Sequence, residues 1–196
     1  MRPFLKAVSP LPRLIGTAAL LLGTATFAHA AVISYSAILS GPNESPPNAS
    51  PATGNASAVY DNVAHTLTVH VDFSGLTGTT TASHIHAPTA VAFTSTAGVA
   101  TTTPTFAGFP LGVTAGTYDI VLDLTLASSY NPNFVTANGG TTASAEVALT
   151  QAIADGKAYL NVHSSTFPGG EIRGFLIPTP TPTQIETWGL IKATWH

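Results

Sequence analysis

Between positions 65 and 73 the chain alternates strictly. Leu67, Val69, Val71 and Phe73 fall on one parity, Thr66, Thr68, His70 and Asp72 on the other. That period of two is what a half-buried β-strand presents, because successive side chains point to opposite faces of a sheet. Runs of the same kind recur at residues 32–40, 54–60, 80–86, 118–126, 157–163 and 171–177, separated by clusters of Gly, Pro, Asn and Ser. In the run 118–126 the inward set is Ile120, Leu122, Leu124 and Leu126. Many short strands between turn signals predict an all-β sandwich or barrel. One segment breaks the period: near residues 143–155, Ala145, Ala148, Leu149, Ala152 and Ile153 recur at helical spacing, and Gly156 follows as a stop. A single short helix is expected there, with Glu146 near its positive end.

The two ends read differently from this middle. Arg2, Lys6 and Arg13 precede an apolar run over residues 14–22, and Ala28-His29-Ala30 has the small-x-small form of a signal-peptidase site. A membrane helix needs about 20 apolar residues, and Thr24, Thr26 and His29 interrupt this run too early. Residues 1–30 are therefore read as a signal peptide cleaved after Ala30, with an uncleaved anchor as the alternative. The mature protein is then secreted or periplasmic, with no membrane span. Residues 31–177 form the expected domain, and residues 178–196 a tail that opens with a stiff Pro/Thr spacer and ends in a stretch, 184–196, too short to fold alone.

Composition narrows the partners. The mature chain keeps only Lys157, Arg173 and Lys192 against nine acids, a formal charge of −6, so a nucleic-acid surface has no basic patch to build on. Charged residues make up 8% of the chain, against roughly 25% in an ordinary domain, which argues against coiled coil and charged disordered arm alike. The absence of cysteine removes a disulfide scaffold, a thiolate metal site and a thiol nucleophile. No Gly-x-Ser-x-Gly elbow, phosphate-binding loop or His-Glu-x-x-His helix is present.

Three histidines carry the strongest chemical signal. In His84-Ile85-His86 the two imidazoles share one strand face, about 6.5 Å apart at Cα, while Ile85 points to the core. In the run 157–163, Ala158, Leu160 and Val162 point inward, which turns Tyr159, Asn161 and His163 outward. If the two strands are neighbours, His84, His86 and His163 meet beneath the surface loops. His70, also outward, is a candidate fourth ligand. Imidazoles without thiolates suit zinc or copper. The alternative is a metal-free scaffold in which the histidines bond loop backbone, Glu171, Asp72 or Tyr159. His65 and His196 are expected to be solvated. Glu171 and Arg173 lie two apart on one strand face, either paired with each other at the sheet edge or receiving an anionic ligand. Glu44, in the loop 41–47, is placed to tie that loop to the sheet, for instance through Arg173.

The strings at residues 39–47, Gly75-Leu76-Thr77-Gly78, His84-Ile85-His86-Ala87-Pro88, residues 156–163 and Pro168-Gly169-Gly170-Glu171-Ile172-Arg173-Gly174 follow in an order that resembles the CHRD domain, named for chordin. The resemblance covers about residues 33–177. It implies an immunoglobulin-like antiparallel β-sandwich, a Greek-key barrel distantly similar to copper/zinc superoxide dismutase, and no settled activity. His84 and His86 are similar to the dismutase's paired copper-ligand strand and His163 to a further copper ligand. The dismutase disulfide is absent, no zinc loop is evident, and a helix is inserted, so dismutase activity is not expected. Trp188-Gly189-Leu190-Ile191 is similar to the start of a PEP-CTERM sorting signal, whose apolar span and arginine cluster are missing, as in a truncated copy.

Two functional readings follow. The first is an exported, non-enzymatic binding or structural module of the envelope or extracellular matrix, with a protein or envelope ligand as its partner. The second is a copper or zinc metalloprotein with a site at His84, His86 and His163, open to redox chemistry.

Overall fold

The alternating runs become strands because each can bury one parity against a common core. The computed structural model describes residues 32–179; the segment read as a signal peptide and all but the first two residues of the expected tail lie outside them. The strands are β1 (Val32–Ser40), β2 (Thr53–Asp61), β3 (Thr66–Ser74), β4 (Thr80–His86), β5 (Gly116–Asp123), β6 (Tyr159–Ser164), β7 (Ile172–Phe175) and β8 (Ile177–Pro178). They form one antiparallel sheet, curled as a half barrel, in the order β4-β6-β7-β1-β2-β3-β5, with β8 added to β1. The all-β expectation holds. Strands β4 and β5 end the order, and the loop 110–114 bonds along the start of β4, through Thr80 N to Val113 O (2.8 Å) and Gly112 N to Thr80 O (2.9 Å).

The inner face carries a continuous apolar cluster that includes Leu39, Val69, Val71, Ile85, Leu122, Leu160 and Ile172. Helix α2 (Thr142–Ala154) closes this core with Ala145, Leu149, Ala152 and Ile153. Its ends are chemically marked: Thr141 and Ser144 exchange capping bonds at the start, and Gly156 at φ +68° reverses the chain at the end. A shorter helix, α1 (Pro132–Ala137), precedes it, capped by Asn131 and opened by Pro132. Among the described residues no helix is long and apolar enough to cross a membrane.

One inward assignment needs correcting. β5 stops at Asp123, whose carboxylate accepts from the Thr125 amide and hydroxyl, and the chain turns out of the sheet. Leu124 stays buried, but Leu126 is exposed rather than inward.

The outer face is not uniform, and this asymmetry creates the site. On β3 the outward residues remain at least partly accessible, as an ordinary sandwich surface would. On β6 nearly every residue is buried on both faces. Loops fold over the outside of β4, β6 and β7, held by Ala87 N to Gly98 O (3.2 Å), Ala100 N to Ile85 O (2.9 Å) and Asn48 Nδ2 to Glu171 O (3.0 Å).

Candidate metal centre

Strands β4 and β6 are hydrogen-bonded neighbours, with His84 opposite Asn161, His86 opposite Tyr159 and Ala82 opposite His163. The three histidines therefore stand on one outward face, His84 one same-face step from His86 and from the level of His163, while His86 and His163 are two steps apart along the strands and meet through their rings. Ring centroids are 5.3 Å apart for His84 and His163, 5.7 Å for His84 and His86, and 5.8 Å for His86 and His163. One nitrogen from each ring lies within 4.8 Å of the other two.

The loops engage one nitrogen of each ring and leave the other free. His84 Nε2 donates to the Pro104 carbonyl (2.6 Å), His86 Nδ1 to the Ala97 carbonyl (2.9 Å) and His163 Nδ1 to the Pro168 carbonyl (2.9 Å). A carbonyl only accepts, so each of these nitrogens carries the proton and the other ring nitrogen is left with a bare lone pair. Those three, His84 Nδ1, His86 Nε2 and His163 Nε2, are buried and have no hydrogen-bond partner. Buried polar atoms are nearly always paired, so three orphaned acceptors converging on one point are a strong exception. Burial also disfavours protonation. It holds His84 and His163 below the usual histidine range and pushes His86 down to about 4, so all three are neutral at pH 7.

The donor set fits a metal ion. Neutral imidazoles, each fixed by a backbone carbonyl behind it, are the arrangement that orients a ligating histidine. Three ligands each about 2 Å from one ion lie about 3.5 Å from one another, so closure from at most 4.8 Å asks each ring to move inward by less than about 1 Å.

Around this centre lies a buried polar chain. The Tyr159 ring stacks on His86 with centroids 4.9 Å apart and planes 3° from parallel, and the Arg173 guanidinium carbon sits 4.6 Å from the Tyr159 centroid. Arg173, 4% exposed, donates to the carbonyls of Asn43 and Ser95, and its Nε lies 3.9 Å from Glu44 Oε2. Glu44 Oε1 accepts from Asn161 Nδ2 (2.6 Å). Burial pushes the Glu44 carboxyl up to about 7, although Arg173, Asn161 and the Ser45 amide all favour its charged form.

Other candidate residues sit elsewhere. Glu171 does not pair with Arg173. It precedes β7, so strand parity does not bind it, and its carboxylate turns to Ser50 Oγ (2.6 Å) and to the Thr77 amide and hydroxyl. Burial raises its pKa, but hydrogen bonds from Ser164, Ser50 and Thr77 outweigh that and hold it below the usual range. His70 is not a fourth member of the cluster: β3 lies four strands from β6, and its imidazole is held by Asp119 (2.8 Å) and Asp72 (2.9 Å). His65, expected to be merely solvated, is exposed but bonds both oxygens of Glu146 through Nδ1, and Glu146 also accepts from the Tyr60 hydroxyl. Sequence reading misses the carbonyls of Ala97, Pro104 and Pro168, because a backbone acceptor leaves no residue signature.

The CHRD domain family model matches residues 35–176, a span that contains all three histidines and most of the chain, and the protein belongs to that family. No curated protein and no solved structure matches the chain significantly.

Proposed function

We propose that this CHRD protein is an exported module that binds one metal ion, copper or zinc, through His84, His86 and His163. The observation that carries this reading is the set of three buried, partnerless imidazole nitrogens facing one another while the opposite nitrogens are tied to carbonyls. A scaffold histidine would use both nitrogens, as His70 does between its two aspartates. Export is supported by the charged, apolar and small-x-small pattern of residues 1–30. The role is one of binding within the envelope or matrix, carried by a domain that spans residues 31–177.

Metal analysis tests it. Full-length protein stripped with chelator and reloaded should hold about one copper or zinc ion per chain, lost in His86→Ala and in His163→Gln. Wild-type protein that takes up no stoichiometric ion, or variants that keep it, would overturn the assignment.

A further inference from the structure

If the centre binds a metal at all, its surroundings bear on which ion it prefers, and that question rests on the reading above. Three features point the same way. First, charge: among the described residues the cluster is three histidines with no carboxylate or thiolate in it. The two buried acids nearby are committed elsewhere, Glu44 to Asn161 and Arg173, and Glu171 to Ser50 and Thr77. The charge nearest the stack is positive, the Arg173 guanidinium above the Tyr159 ring that itself covers His86. Asn161 Oδ1, buried without a partner on the strand beside His84, adds only a neutral oxygen.

Second, closure: the three lone-pair nitrogens are sealed from solvent beneath the loops that hold Ala97, Pro104 and Pro168. Structural zinc sites use four protein ligands, and catalytic ones use three with an open, water-filled position. Three ligands in a closed pocket match neither pattern. Third, energetics: the cost of transferring an ion from water into a poorly polarisable interior grows with the square of its charge. With no anionic ligand to offset that cost, a dication is disfavoured far more than a monocation.

We infer that the His84–His86–His163 centre selects monovalent copper over divalent zinc and divalent copper. Copper(I) is a closed-shell, singly charged ion that is satisfied by three neutral nitrogen ligands and needs no bound water. The module is then a holder of reduced copper.

The test is an anaerobic titration of the full-length wild-type protein with copper(I) against bathocuproine disulfonate, read by absorbance. Zinc(II) and copper(II) are titrated in parallel against chromophoric chelators. One copper(I) per chain is expected, with both divalent ions bound at least about 100-fold more weakly. The copper K-edge of the loaded protein should show a three-coordinate, nitrogen-ligated copper(I) centre. Zinc or copper(II) bound one per chain as tightly as copper(I) overturns the selectivity and leaves the metal site standing. Binding of none of the three ions overturns both. The comparison is made on the wild-type chain, so it does not depend on a variant folding.

Discussion

The Tyr159 ring lies flat against the His86 imidazole, 4.9 Å between centroids, and its hydroxyl meets the Ala97 backbone whose carbonyl also accepts from His86 Nδ1. One aromatic side chain thus holds both the ring and the group that fixes its tautomer. Tyr159→Leu should weaken metal binding by about 10- to 100-fold, the usual effect of losing a group that orients a ligand. Tyr159→Phe keeps the stack and should cost less than about tenfold. Competition titrations on both variants check this, and equal losses would show that the stack contributes nothing.

Arg173 and Glu44 should be strongly coupled. At pH 9, where the Glu44 carboxyl is ionised in the fold, Arg173→Met leaves it without its cation and should destabilise the fold by roughly 3 kcal/mol. Adding Glu44→Gln should recover more than about 1 kcal/mol of that loss in a double-mutant cycle. Strict additivity in urea denaturation would contradict the pairing.

The Glu44 carboxyl also predicts a pH dependence. Its pKa rises from 4.5 to about 7 in the fold, so the native state binds this proton more tightly than the unfolded chain does. The resulting stabilisation is complete below pH 4.5 and is lost as pH climbs through 7. The metal-free histidines act oppositely: their pKa values fall from 6.5 on folding, so their contribution is present above 6.5 and is lost as pH falls, through about 4 for His86. Comparing the apo wild type with Glu44→Gln isolates the first effect. The difference in unfolding free energy should shift in favour of wild type by roughly 3 kcal/mol between pH 7.5 and 4.5. Parallel pH profiles would rule it out.

Ile85 lies between two histidines and faces the other way, fully buried. Ile85→Asp places a carboxyl in the apolar cluster and should abolish cooperative folding. Thr81→Asp, on an exposed position of the same strand, should change stability by no more than about 0.5 kcal/mol. Thermal unfolding by circular dichroism separates the two, and a stable Ile85→Asp would invert the strand's facing.

Much of this architecture is legible from alternation. Leu67, Val69 and Val71 announce β3, and the parity of Ile85 against its flanking histidines, repeated by Leu160 and Val162, is enough to turn three imidazoles outward. What parity cannot supply is the choice between neighbours once a chain leaves the sheet. Glu171 and Arg173 share parity in sequence, yet one belongs to a loop and the other to β7, and their partners diverge. His70 has the right parity but the wrong strand, because sheet order depends on long-range pairing. The missed helix α1 did carry a local signal, the Asn131-Pro132 pair of an N-cap followed by a first-turn proline.

The carbonyls behind the three imidazoles come from two stretches distant in sequence, one holding Ala97 and Pro104, the other holding Pro168. A solute arriving from outside meets a shut door on both sides. Loading and unloading would then be paced by how often these segments lift, and adding more competitor would cease to hasten release. A metal ion held there as proposed would stay for the lifetime of the closed state, as in a reservoir rather than a rapidly trading surface patch.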